Sequence, residues 1–304
     1  MDTTMSEPVL LLLNKPSGQT SYDCIRHLKK FLNRNDLGHG GTLDRFAKGV
    51  LPIFFGEGLK LVRFFLDHYP TLPTFWKKYK GTISLGVATD TGDPEGTETE
   101  KRTVPNLTQE HIQSAMQFFV EEVYEQTPPN FSAKKIAGQR ASTLARQGKK
   151  IDLKPTMITI KDFCCHCWDQ SSIKFEATCS KGAYMRVLAN DLAKKLDTVG
   201  HLSELTRIGV GLWELSQTFT LEEIEHKGME CALTLEEATS FLPKFPLLFS
   251  EVDLLKIGKV DGLLARLSNS GLSHNAYCAV YQNIPMALLE LLPSKKSLFL
   301  RAFG

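Results

Sequence analysis

Asp44 stands in the run Gly38-His39-Gly40-Gly41-Thr42-Leu43-Asp44-Arg45-Phe46-Ala47-Lys48-Gly49-Val50-Leu51-Pro52. A histidine, a carboxylate and two cations share a glycine-rich loop there, between a basic helix and an apolar strand. That is a way to present a carboxylate to a polyanion. The run is not a phosphate-binding loop. The dinucleotide fingerprint needs glycine where Leu43 stands, and the other phosphate loop needs Gly-Lys-Ser/Thr where this chain has Lys48-Gly49. An Asp in such a loop serves equally as a turn or cap residue, so the loop alone leaves its role open.

A second concentration of charge lies at 131–150, where Lys134, Lys135, Arg140, Arg146, Lys149 and Lys150 occur with no Asp or Glu. The whole chain of 304 residues carries a net charge of only +2. The charge is therefore segregated, as on a surface that meets a polyanion, although a solvated helix face has the same composition. Cys164-Cys165-His166-Cys167 has metal-binding residue types, but neighbours on a strand point to opposite faces and no Cys-x-x-Cys pair completes a tetrahedral set. These are expected to be buried strand cysteines, with no metal.

The elements that must position these residues are read from periodicity. Pro8–Leu13 is a short buried strand closed by Asn14-Lys15-Pro16-Ser17-Gly18. Ser21 is expected to cap a helix whose apolar positions are Ile25, Leu28, Phe31 and Leu32. Val50–Phe55 is a strand, and Leu59–Leu66 is expected to be a helix. Trp76–Ala88 is a strand with Tyr79, Gly81, Ile83 and Leu85 on one face, followed by a polar loop over 89–103. Gln109–Val120 is a helix, and 156–168 with 173–180 make a hairpin. Lys181-Gly182 leads into a helix, Leu205–Leu215 is a strand, and short acidic helices follow at 221–226 and 235–241. Seven cysteines in no scaffold spacing and a start without a basic or apolar leader point to a reducing, cytoplasmic setting. The apolar runs are too short to span a membrane.

With these motifs in view, the chain resembles the TruB family of pseudouridine synthases, which make pseudouridine at position 55 in the T-arm of tRNA. The run 38–52 is similar to the family's signature. Leu13-Asn14-Lys15-Pro16-Ser17-Gly18-Gln19-Thr20-Ser21 is similar to its opening motif. Lys78-Tyr79-Lys80, followed by Gly86-Val87-Ala88-Thr89-Asp90-Thr91-Gly92-Asp93, resembles its tyrosine strand. The stretch 126–135 with Gly138, Arg140, Ala145, Arg146 and Gly148, then Cys179–Arg186 and His201–Arg207, complete the order. The resemblance covers about residues 9 to 215.

It implies a catalytic carboxylate at Asp44, with Arg186 as the cation that keeps it ionised. Tyr79 would stack on the extracted uracil, and its hydroxyl would help move the carbon-5 proton. Tyr184 and Leu205 would line the pocket. His39 would enter the tRNA loop when the base is flipped out, and Lys15, Lys134, Lys135, Arg140 and Arg146 would contact phosphates. Isomerisation of a glycosidic bond requires no metal and no cofactor.

The implied fold is α+β, with a central mixed, mainly antiparallel sheet and a small C-terminal β-rich, PUA-like domain. The expected division is a catalytic domain at 1–215, a helical connector at 216–246 and an RNA-binding domain at 247–304. The expected partner is the T-arm of tRNA, met by a monomer with no obligate protein partner. The family pattern has Pro where this chain has Arg45, and Gly40 and Lys48 are further departures; losing Pro and gaining Gly40 are expected to loosen the loop, and Arg45 and Lys48 to add positive charge near the RNA. A tRNA-binding folding chaperone, with modification secondary, is the alternative. Joint retention of Asp44, Tyr79 and Arg186 weighs against it. Guide-directed modification is a third reading, disfavoured by the lack of a long basic tail.

Overall fold

The run Val9–Leu13 is apolar without alternation, as a strand covered on both faces must be, and in the computed structural model it lies in the middle of β1 (Pro8–Lys15). The structure describes residues 8–67, 69–121, 124–129, 135–136, 139–140, 147, 153–259, 261–269, 276–291 and 298–303. Helix α1 (Ser21–Phe31) starts at Ser21, the expected cap, so the cap itself falls one residue earlier. Thr20 is the N-cap, in a reciprocal capping box with Asp23, which leaves the Ser21 hydroxyl for another task. Cys24, Ile25 and Leu28 are buried, whereas Phe31 is exposed. β2 (Leu37–His39) and β3 (Lys48–Phe55) pair antiparallel and enclose the Asp44 loop. A 3-10 turn at Gly56–Leu61 and the single-turn helix α2 (Arg63–Leu66) replace the one helix expected there.

β4 (Trp76–Leu85) alternates as expected, with Lys77, Tyr79, Gly81, Ile83 and Leu85 buried. The polar loop after it contains a small hairpin of β5 (Val87–Thr89) and β6 (Glu98–Lys101). Helix α3 (Gln109–Glu121) precedes β7 (Tyr124–Gln126), and the basic stretch contributes the two-residue strands β8 (Lys135–Ile136) and β9 (Gln139–Arg140). β10 (Thr156–Ile158) pairs with β7. β11 (Ile160–Trp168) and β12 (Ser172–Ser180) form the expected hairpin.

Helix α4 (Met185–Lys195) leads to β13 (Gly200–Val210), which begins five residues before the sequence reading placed it, and then to β14 (Trp213–Glu214). Polar His201, Ser203 and Glu204 conceal the start of β13, because they fall on its half-exposed face. The acidic helices are α5 (Leu221–Lys227) and α6 (Leu235–Ala238), with β15 (Ala232–Thr234) between them.

One sheet runs in the order β11-β12-β4-β13-β3-β1-β15, with β14 on β13 and β2 on β3. β13 is parallel to β3 and antiparallel to β4, which makes the sheet mixed. Helices α3 and α4 cover one face, packing Ile112, Met116, Phe119, Leu188 and Leu192 on Ile83, Phe175 and Leu202. Each such side chain contributes roughly 1.5–3 kcal/mol by leaving water.

After β16 (Lys244–Pro246), α7 (Phe249–Lys256) and α8 (Asp261–Asn269), a second sheet is completed by β17 (Ala276–Tyr281), β18 (Ile284–Leu291) and β19 (Leu298–Ala302). Alternation on β17 decides what each face meets. Tyr277 and Ala279 join Leu255, Leu263 and Leu267 of the two helices. Ala276, Cys278 and Val280 join Leu10, Phe54, Phe65, Trp213 and Phe241 in a core shared with the large sheet. Among the described residues no helix is long and apolar enough to cross a membrane.

Candidate active site

The parallel insertion of β13 beside β3 assembles the site. Thr206 and Arg207 stand against Lys48 and Gly49, and Arg207 stands opposite Tyr79 on β4. Gly49, at φ 107°, allows this approach, since a Cβ there would lie 2.3 Å from the Arg207 carbonyl oxygen. The loop that carries Asp44 is thereby drawn over the end of β4.

Four side chains tie the loop down. The Ser21 hydroxyl accepts from the Leu43 N–H at 3.0 Å and donates to the Leu43 carbonyl at 3.2 Å. Ser17 donates to the Phe46 carbonyl at 2.7 Å. Arg207 is fully buried on β13 and donates to the carbonyls of Val50 at 2.7 Å, Thr42 at 3.3 Å and Gly41 at 3.4 Å. Lys15 donates to the carbonyls of Gln19 at 2.6 Å, Pro16 at 2.8 Å and Arg45 at 3.3 Å.

Lys15 is therefore corrected as a phosphate contact. Its side chain is 0% exposed, its three N–H bonds are taken, and burial lowers its pKa to about 8. The departures expected to loosen the loop are also absorbed. Arg45 donates through Nε to the Gly18 carbonyl at 2.9 Å, and Gly40 sits where a Cβ would come within 2.9 Å of the Phe54 ring.

Arg186, in the first turn of α4 and 4% exposed, holds Asp44 with both arms of its guanidinium, Nε to Oδ2 at 2.9 Å and Nη2 to Oδ1 at 3.2 Å. Its Nη1 donates to the Thr91 carbonyl at 2.7 Å and lies 3.3 Å from Asp93. Burial pushes the Asp44 carboxyl above its ordinary range, and the charge and hydrogen bonds of Arg186 pull it back. The Asp44 side chain stays 39% exposed, toward a cavity of about 490 Å³.

Tyr79, Tyr184 and Leu205 line that cavity with Asp44, so the structure brings together the expected pocket residues and the expected ion pair. Burial raises the Tyr79 phenol to about 12, against the pull of Arg207. Tyr184 is the N-cap of α4. Its backbone N–H and carbonyl are both bonded by the buried Gln126 amide, at 2.7 and 3.1 Å.

His39 ends β2, half-buried, and its Nδ1 accepts from the Gly41 N–H at 3.4 Å. Lys134 and Arg146 lie outside the described residues. Lys135 and Arg140 are register partners in the β8–β9 hairpin. Cys164 and Cys167 are exposed and Cys165 is half-buried, which corrects the expectation of buried cysteines. β11 is the edge strand of the large sheet, paired on one side only among the described residues. Among the described residues no group of His, Cys, Asp and Glu is placed to hold a metal.

Lys77, Lys181 and Arg207, which stand outside the basic stretch at 131–150, also belong to the surroundings of the cavity. For Lys77 the signal was its place two residues before Tyr79, on the same strand face. A second groove of about 580 Å³ meets the first at Leu205 and carries Lys48, Lys80 and Lys174.

Residues 29–185, just over half of the chain, match the TruB family of pseudouridylate synthases in its N-terminal domain. The tRNA pseudouridine synthase B of Caldanaerobacter subterraneus subsp. tengcongensis is 33% identical over 288 residues, covering 92% of this chain and 93% of its own. That of Bacillus subtilis is 34% identical over 246 residues, covering 78% and 77%. A chain in the crystal structure of a Cbf5-Nop10-Gar1 complex superimposes with a TM-score of 0.67 over 100% of this chain and 90% of its own, at 17% identity, and shares its fold.

Proposed function

Because the chain belongs to the TruB family of pseudouridylate synthases, we propose that it isomerises the uridine at position 55 in the T-loop of tRNA, with Asp44 as the nucleophile. The observation that carries this reading is the two-armed Arg186–Asp44 contact at the wall of a cavity also lined by Tyr79 and Leu205. Arg186 opposes the rise that burial imposes on the carboxyl, and so supports the charged form that attack requires.

The target uridine must leave its stack to reach this cavity, at a cost of a few kcal/mol. Asp44 bonds to the nucleotide, at the anomeric carbon or at the base. The N1–C1′ bond breaks, the uracil turns, a C5–C1′ bond forms, Asp44 is released, the C5 proton leaves and N1 takes up a proton. No atom is gained or lost overall. Tyr79, with its pKa near 12, keeps its proton at neutral pH and offers a stacking face and a donor.

His39 fills the space left by the flipped base, and Lys134, Lys135, Arg140 and Arg146 meet the RNA backbone. In this reading residues 1–215 form the catalytic domain, 216–246 connect, and 247–304 extend the RNA surface. The enzyme works as a monomer in the cytoplasm.

The test is Asp44→Asn on unmodified tRNA, with pseudouridine mapped at single-nucleotide resolution. Product at position 55 is expected to fall by roughly 10⁴-fold, with tRNA binding kept. Undiminished product would falsify the nucleophile assignment, and product only at another uridine would overturn the position. Refolding of tRNA by a wild type that makes no pseudouridine would identify a chaperone instead.

A further inference from the structure

Lys77 lies on the same face of β4 as Tyr79, is 8% exposed and lines the cavity. Among the described residues its ammonium has no hydrogen-bond acceptor and no carboxylate partner. A buried cation without a partner is costly, and its surroundings add to the cost. Arg207 faces it from β13, and Lys181 from the turn after β12. The thiol of Cys179, its register partner on β12, acts in the opposite sense. Burial, reinforced by Arg207, lowers the Lys77 pKa to about 7.

On the loop side stands Gly41, where a Cβ would come within 3.1 Å of Lys77 Nζ and 3.6 Å of an Arg207 nitrogen. Glycine leaves the ammonium uncovered there. Asp44 is the one carboxylate lining the cavity among the described residues, and Arg186 already holds it, whereas the other charged lining residues are Lys77 and Lys181. Lys181 donates to the Leu66 carbonyl at 2.7 Å. The free enzyme thus leaves the Lys77 amine without a compensating anion.

A uridine in RNA has no ground-state charge on base or sugar, and its only anions are the phosphates on either side. We propose that Lys77 is a substrate-binding residue whose ammonium holds one of the two phosphates flanking the target uridine. The assignment rests on the reading that the cavity takes that nucleotide. Binding places an anion beside Lys77, which restores its proton and supplies the partner the free protein lacks.

The test combines substrate and protein changes, using T-arm RNA with a neutral methylphosphonate at the phosphate before or after the target uridine. For the wild type, one of the two neutral linkages is expected to raise KM roughly 10-fold to 100-fold. Lys77→Met is expected to raise KM by a similar factor on ordinary RNA, and to lose no more on the neutral RNA. The methylphosphonate series on the wild type is informative even if the variant folds poorly. Losses that multiply, or two neutral linkages without effect on the wild type, overturn the assignment. So does a Lys77→Met loss confined to kcat, which would place the lysine on the departing uracil. A wild type inactive on the ordinary T-arm overturns the functional reading as well, so the two failures are told apart.

Discussion

The turn after β1 and the floor of the cavity each enclose a lysine, and they treat it in opposite ways. Lys15 is entirely buried, with a carbonyl for each N–H. Lys77 is almost as buried and has no acceptor among the described residues. The first arrangement is complete in the free protein and serves the loop that holds Asp44. The second is complete only when something anionic arrives. The fate of a buried cation therefore separates structure from recognition better than its burial does.

Replacing each lysine with methionine probes the contrast. Lys15→Met removes three charge-assisted bonds and leaves carbonyls without donors, so it is expected to cost about 3–5 kcal/mol in denaturant unfolding. A loss below about 1 kcal/mol would erase the distinction. Lys77→Met, at pH 6, is expected to stabilise the protein by about 1–3 kcal/mol, since an unpaired buried charge gives way to an apolar chain of similar length.

The pH dependence sharpens this. Below pH 7 Lys77 is charged in both folded and unfolded chains, and the folded state bears the full cost of burying it. Between pH 7 and 10.5 the folded protein has released this proton and the unfolded chain has not, so the cost declines as pH rises. The advantage of Lys77→Met is therefore expected to shrink across that window, as read by thermal unfolding at pH 6, 8 and 10. An advantage that grows with pH would contradict the assignment.

Ser21→Ala addresses the same loop through a neutral group and is expected to cost about 1–2 kcal/mol, with a fall in kcat larger than any change in KM. Glu290→Gln is the smallest change. It weakens the pair with Arg63 at 2.8 Å and keeps an acceptor for Tyr69, for about 1 kcal/mol.

Much of this was legible in the sequence. The alternation of β4 set Tyr79, Ile83 and Leu85 on one face, and the glycine-rich loop singled out Asp44. Lys15 and Arg207 were not legible as internal residues. Charge by itself predicts the surface, and only the fold supplies the carbonyls that make burial tolerable. The cap at Thr20 was displaced for a similar reason, because Ser21 is taken by Leu43 across the fold. Parallel pairing of β13 with β3, which aligns Arg207 with Gly49, is a long-range event with no local signal.

The core that joins Leu10, Phe54 and Phe65 to Cys278, Val280 and Leu288 has a consequence for biosynthesis. The large sheet cannot seal that side until the ribosome has delivered β17 and β18. Until then a nascent chain displays a greasy flank, and a product cut before those strands would be adhesive rather than merely shorter.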